Sequence, residues 1–341
     1  MVLKTNVDFE VISQLKSEGV NSKLFLVNDF QLDKVSILKR IDKRKVKNND
    51  FFREYKKINE LNHPNIIKIT STSYDEDHVY MTMPFFEKGS LNKLIKNKNL
   101  NIKEIKKYSL DFLSAISYIH KKGIIHGDIK PSNILIDDYD NAILTDFGSA
   151  VYMDTNGRSK IKNVYYKHIA PEQCKKSLID KRVDIYQIGT TLYRMCNGDY
   201  EYNKQIKKYK NIEFVKKACF QGKFPIRKKY LPHIPKSMIY IIEKCIKLDK
   251  DERYNDVDEI IKDMNKVKDS VWNYKIISEY EFLWENNKNK INLYKRDNFW
   301  YVNYNGFIKI FESKPKSYIF IRSIIKEYEI TSTSIRTSRG L

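Results

Sequence analysis

The sequence predicts an α+β protein of two lobes, the first β-rich and the second helical, followed by a small β-rich module. Three observations predict it. Short apolar alternations of strand period recur through residues 9–86. Apolar positions Ile102, Ile105, Phe112, Ile116 and Ile119 then recur at helical spacing, the mark of a buried helix. All three tryptophans (Trp272, Trp284 and Trp300) and 15 aromatic residues in all fall in the last 71 residues, a composition shift that marks a boundary near 270.

In chain order, alternation near 24–27 and 35–41 predicts two strands, 50–61 a helix, and 66–69 and 79–83 two further strands. The helix over 101–121 delivers the chain to His126, and helices continue to about 270. Residues 299–302 and 307–310 flank Asn305-Gly306, the signature of a hairpin closed by a type I′ turn. The run 330–341 has no apolar periodicity and little to bury, so it is expected to be mobile. The units expected are 9–270, divided near 86 and 87 into its two lobes, and a module of 271–341.

Composition narrows the setting. No run of eighteen apolar residues occurs and the first residues lack a signal-peptide pattern, so a cytoplasmic protein without a membrane span is expected. Cys174, Cys196, Cys219 and Cys245 lack the close paired spacings of zinc sites and read as ordinary thiols. The net charge of +20 would attract polyanions, but residues 271–341 hold only 12 Lys and Arg against 7 Asp and Glu. The charge is therefore spread along the chain, which fits solvated lysines better than a nucleic-acid footprint. Nucleic acid on the aromatic module ranks below the reading that those aromatics form its core.

The chemistry is concentrated in His126-Gly127-Asp128-Ile129-Lys130-Pro131-Ser132-Asn133 and in Asp146-Phe147-Gly148, thirteen residues after that asparagine. Phosphoryl transfer needs a carboxylate at the attacking hydroxyl, a cation at the moving group and oxygen ligands for a metal ion, and Asp128, Lys130, Asn133 and Asp146 are such a set. These motifs resemble those of the eukaryotic-type serine/threonine protein kinases, with soluble bacterial members the nearest in pattern around 170–195. The resemblance implies the two-lobed kinase fold, ATP and magnesium, and a protein substrate phosphorylated on serine or threonine, the chain itself included. It makes Asp128 and Lys130 catalytic and Asn133 and Asp146 metal ligands. Lys39 in Ser36-Ile37-Leu38-Lys39 and Glu54 in Phe51-Phe52-Arg53-Glu54 match the family's nucleotide-gripping pair. Met83 matches the gatekeeper, Pro84 and Phe86 the hinge contacts to adenine, and Gly19 the phosphate loop. Ala170-Pro171-Glu172 with Arg253, and Asp184, match structural positions of the family.

The pattern departs in three places. The phosphate loop keeps only Gly19, with Lys16, Glu18 and Asn21 where glycines are usual, so weakened nucleotide binding is expected. Gly127 replaces the usual arginine, which implies activity independent of activation-loop phosphorylation. Tyr165 stands where a threonine is usual and leaves tyrosine or dual specificity open. Two alternatives accompany the kinase reading: a pseudokinase acting as a binding scaffold, and a small-molecule phosphotransferase of the aminoglycoside type. The latter shares the His-Gly-Asp loop but matches poorly at Asp146-Phe147-Gly148 and Ala170-Pro171-Glu172. The oligomeric state is left open by the sequence.

Overall fold

A computed structural model describes residues 7–15, 22–45, 59–160, 166–175 and 178–338 of the chain. The first lobe is a twisted five-stranded antiparallel sheet of β1 (Phe9–Leu15), β2 (Ser22–Asp29), β3 (Lys34–Asp42), β4 (Ser71–Tyr74) and β5 (His78–Pro84), in spatial order β1-β2-β3-β5-β4. Residues 66–69, expected as a strand, are not one. Ile66 makes only an isolated bridge to Leu144, and Ile66 and Ile67 are buried in succession between the lobes instead of alternating across a sheet. The helix expected at 50–61 lies outside the described residues up to 58.

The second lobe is built on α1 (Leu91–Asn97) and α2 (Ile102–Lys121). Asn101 and Glu104 form a reciprocal capping box that satisfies backbone donors at the start of α2. Behind α2 come β6 (Ile124–Ile125), β7 (Ile134–Ile136), β8 (Ala142–Leu144) and β9 (Val151–Tyr152), then α3 (Arg182–Asn197), α4 (Asp199–Ile206), α5 (Ile212–Phe220), α6 (Lys236–Cys245) and α7 (Val257–Asn265). α3 runs through the middle of the lobe with Val183 through Asn197 all buried. A helix buried on every side can serve as an anchor for whatever packs on it.

The C-terminal module is a meander of β10 (Asn273–Ser278), β11 (Glu281–Glu285), β12 (Lys290–Arg296), β13 (Phe299–Tyr304) and β14 (Phe307–Phe311), paired in sequence order and backed by α8 (Lys314–Ser338). The expected turn is present. Asn305 and Gly306 both have positive φ (49° and 96°), the backbone that a type I′ turn requires. The helix was not expected, and it carries residues 330–338, read from the sequence as mobile. Its first half docks on the sheet and second lobe through Ile321, Ile324 and Ile325, and a helix so anchored propagates without a strong pattern of its own.

The module shares a core with the second lobe. Trp272, Tyr274, Trp284 and Ile321 belong to the same apolar cluster as Tyr230, Leu231 and Ile234. Polar contacts fix the seam: the Arg322 guanidinium donates to the Ile234 and Leu231 carbonyls at 2.8 and 3.0 Å, and Ser270 donates to Glu329 at 2.7 Å. Fully buried Trp284 donates its indole N–H to His233 Nδ1 at 3.0 Å. Accepting there requires a neutral imidazole, and burial pushes His233 down to about 3.

Between the ordinary histidine value and about pH 3, the unfolded chain therefore binds a proton at His233 that the folded chain refuses. Stability must fall as pH drops through that window and is insensitive to this group above it. From pH 6.5 to 5 the loss is expected to be about 2 kcal/mol. Urea unfolding of wild type and His233→Gln across that range checks it, since the glutamine oxygen can accept but does not titrate; equal slopes in the two proteins would rule His233 out.

Candidate active site

The loop 126–133 lacks strand or long helix, so its shape must come from groups outside it. α3 supplies them. The buried Asp184 carboxylate accepts the backbone N–H of His126 at 2.8 Å and of Gly127 at 2.7 Å, and His120 Nε2 from α2 at 2.8 Å. One helical turn on, Gln187 accepts the Ile129 N–H at 2.8 Å and donates to the Gly127 carbonyl at 2.9 Å. Gly127 has φ 76°, a conformation that disfavours side chains, so glycine suits the bend on which the loop turns.

His126 joins the loop to the second motif. Its Nδ1 accepts from the Asp128 N–H at 3.3 Å, so Nε2 carries the proton and donates to the Thr145 carbonyl at 3.2 Å. Its ring meets Phe147 edge-on at 4.9 Å. Asp146 follows Thr145 with φ 63°, a left-handed conformation that aspartate tolerates better than most residues.

These contacts bring the predicted residues together. Asp128 Oδ2 lies 2.9 Å from Lys130 Nζ and accepts from Asn133 Nδ2 at 3.0 Å, while Asn133 Nδ2 also bonds the Asp128 carbonyl at 2.9 Å. Asp128 Oδ1 is buried and has no hydrogen-bond partner among the described residues. Burial raises the pKa of Asp128 above the carboxylate norm, with Lys130 opposing. Lys39, from β3, reaches across the cleft to Asp146 Oδ1 at 3.2 Å, and its charge lowers the pKa of Asp146. That carboxylate keeps 44% of its side-chain surface exposed, so an oxygen remains open to the cleft.

Between the lobes, Ile67, Met83 and Ile143 form a small apolar cluster of their own, with Ile37, Phe86 and Leu135 packed against it. Met83 and Pro84 close β5, where Pro84 pairs with Ser36, and Ile143 on β8 is three residues before Asp146. An apolar slot thus abuts the charged cluster. Gly19, Glu54 and Tyr165, and with them Lys16, Glu18 and Asn21, lie outside the described residues.

At the far end of the activation segment, Glu172 grips Arg253 with two bonds of 2.7 and 2.9 Å, and the guanidinium also donates to the Lys247, Leu248 and Arg182 carbonyls. A second buried cluster was missed from the sequence. Arg194 Nη1 donates to His168 Nε2 at 3.0 Å, and Nη2 bonds Asn92 at 2.8 Å and Asp199. His168 is held well below its ordinary pKa by burial and then by Arg194, as its accepting role requires. The clue available was the distance of only two residues between His168 and Ala170-Pro171-Glu172. Gln187 was missed as well, since it is one of several polar residues on α3, with Asp184, Thr190, Thr191 and Arg194, and nothing in the sequence marks which of them faces the loop.

The two-lobed fold thus sets a helix-clamped loop carrying Asp128, Lys130 and Asn133 opposite a lysine–aspartate pair across a cleft. The chain belongs to the protein kinase domain family, whose model matches residues 11–273. It is 29% identical over 261 residues to the serine/threonine-protein kinase PrkC of Bacillus subtilis, covering 74% of this chain and 39% of that protein. It is 28% identical over 262 residues to a probable serine/threonine-protein kinase of Clostridium perfringens, covering 75% and 38%. With an Aurora kinase of Yarrowia lipolytica it shares 32% identity over 196 residues, covering 56% and 52%. The chain thus spans under two fifths of the length of the two bacterial relatives.

Replacing Asp184 by Asn keeps the size but turns one acceptor oxygen into a donor facing buried N–H groups. The expected cost is about 1–3 kcal/mol in chemical denaturation, with kcat falling more than KM rises because the loop shifts. Wild-type stability in Asp184→Asn would contradict the clamp.

Proposed function

We propose that the protein transfers the γ-phosphoryl group of ATP to serine or threonine hydroxyls of proteins, itself among them. The observation that carries this is the asymmetry of Asp128. One carboxylate oxygen is held by Lys130 and Asn133, and the other is buried with no partner among the described residues. A buried acceptor costs free energy unless something donates to it, and a substrate hydroxyl is the donor that phosphoryl transfer provides.

In this mechanism the hydroxyl donates to Asp128 Oδ1, which orients its oxygen toward the γ-phosphorus. The new P–O bond forms as the bond to the β-phosphate oxygen breaks, ADP leaves, and the proton passes to Asp128. The raised pKa of Asp128 suits a carboxylate that takes a proton late. Lys130, tied to Asp128, offsets charge on the moving group, and Lys39 grips the phosphates. The cluster of Ile37, Ile67, Met83, Leu135 and Ile143, with Pro84 and Phe86 at its rim, receives the adenine.

The Asn133 amide oxygen, whose Nδ2 is the atom bonded to Asp128, and the exposed side of the Asp146 carboxylate are hard oxygen donors that fit magnesium. Bound there, the ion would neutralise phosphate charge. Preference for serine or threonine is supported by Lys130 two residues after Asp128 and by the names of the relatives. The working units are 9–270 for catalysis and 271–341 as a docked module. All four cysteines are free thiols, which fits a reducing cytoplasm, and among the described residues no helix is long and apolar enough to cross a membrane.

The test is transfer from labelled ATP with magnesium onto the protein itself and onto a basic protein. Asp128→Asn and Asp146→Asn are each expected to reduce the rate at least about 100-fold with folding intact, and the label should sit on serine or threonine. Transfer at the wild-type rate in Asp128→Asn, or none from folded wild type that binds the nucleotide, would refute the reading.

A further inference from the structure

The C-terminal sheet ends in a strand with one open side. Among the described residues β14 pairs with β13 alone, and Phe307, Ile308 and Ile310 on it are 63%, 50% and 55% exposed. An edge that is long, regular and apolar is a template for another strand. The other described sheet edges are blunted. β1 and β10 carry register breaks, at Val11/Ser13 and at Ile276/Ser278, and β4 is short and polar. β10 also begins one residue after Trp272, at the seam with the second lobe, and β14 is the opposite edge of the same sheet.

The sequence of β14, Phe307-Ile308-Lys309-Ile310-Phe311, reads the same in both directions. We propose that two copies of this chain associate about a two-fold axis through Lys309, joining their β14 strands antiparallel into one ten-stranded sheet.

Hairpin geometry selects that register. The two-residue turn closes on Tyr304 opposite Phe307 as a hydrogen-bonded pair, and such pairs alternate along the ladder. Phe307, Lys309 and Phe311 therefore spend their backbone groups on β13, and Ile308 and Ile310 aim theirs at the open side. With the axis at Lys309, Ile308 meets the partner's Ile310 and Ile310 meets the partner's Ile308, so every outward backbone group of the two isoleucines finds its complement. An isologous contact needs such self-complementarity.

The side chains agree. Ile308 and Ile310 share the sheet face of Asn303 and Tyr301, and Tyr301 stacks on Tyr294 at 5.4 Å. Joining the copies extends the cross-strand row Tyr294, Tyr301, Ile310 into the partner's Ile308, which covers apolar surface otherwise wet. Lys309 stands on the opposite face, its ammonium 4.6 Å from the centre of the Phe320 ring of α8. Each lysine is thereby drawn toward its own helix and away from its symmetry mate.

Sedimentation equilibrium of the full chain over a micromolar-to-submillimolar dilution series is expected to show twice the 40.7 kDa chain mass. Ile308→Pro removes an outward N–H without touching the β13 ladder and should return the single-chain mass, as should Ile310→Lys, both with wild-type melting. In the Lys309→Cys variant the axis places the two new thiols directly across a non-hydrogen-bonded pair, where about 4.5 Å between Cα atoms permits a disulfide. Mild oxidation should cross-link it, and should cross-link Ile308→Cys far less. A single-chain mass for wild type throughout, or a dimer that survives Ile310→Lys without a Lys309→Cys cross-link, would overturn the proposal. Should Ile308→Pro unfold, Ile310→Lys and the cross-link decide.

Discussion

The buried Asp184 carboxylate is the contact on which the active site depends. A charge with no exposure to water has to be repaid by hydrogen bonds, and here three N–H donors converge on it, two from the backbone of the catalytic loop and one from His120. The exchange works both ways. The loop has no secondary structure to hold it, and the anion on a fully packed helix gives it one permitted path. Gln187 repeats the arrangement one turn along, so positions 126–129 hang from a single rigid element. Asp128 can then be held in the cleft with one oxygen unpaired, at a cost the surrounding core sustains.

The same logic extends outward from α3. Arg253 fills its donors with Glu172 and three carbonyls, and so fixes the end of the activation segment against the helix that carries Asp184. Arg194, from the far end of α3, does likewise through His168, Asn92 and Asp199. Both guanidiniums lie in the interior with the donors at their forked ends matched to acceptors, the setting in which arginine outperforms lysine. Asp199 opens α4, whose Tyr202 donates to the Lys167 carbonyl, so the substrate side of the cleft is tied to the body of the lobe.

The C-terminal module is welded to this body. Trp272 and Trp284 are buried in a core shared with the second lobe, and the indole N–H of Trp284 is satisfied by a histidine of that lobe. Lys314, at the start of α8, lies 3.4 Å from the centre of Phe282 with Trp300 and Tyr318 also near, and burial brings its pKa down to about 8. A 71-residue unit has a poor ratio of interior to surface, and sharing a core is a way for it to stay ordered.

The sequence by itself determined the family, the two-lobed architecture and which charged groups to look for. Each is carried by local pattern: a fixed spacing from Asp128 to Asn133 to Asp146, a helical stripe from Ile102 to Ile119, and a turn at Asn305-Gly306 that few other residue pairs permit. Short buried segments misled it. Ile66 and Ile67 looked like strand because apolar residues inside a core carry no period, and the helix through residues 330–338 was not legible because it is propagated from a docked segment upstream. Only the tertiary structure decided that Gln187 holds the loop, that His168 and Arg194 meet in a buried cluster, that one oxygen of Asp128 is buried without a partner among the described residues, and that the module packs on the second lobe. Those facts depend on which groups meet across a distance in the chain, and burial, which sets their charge and their partners, is a property of the assembled fold.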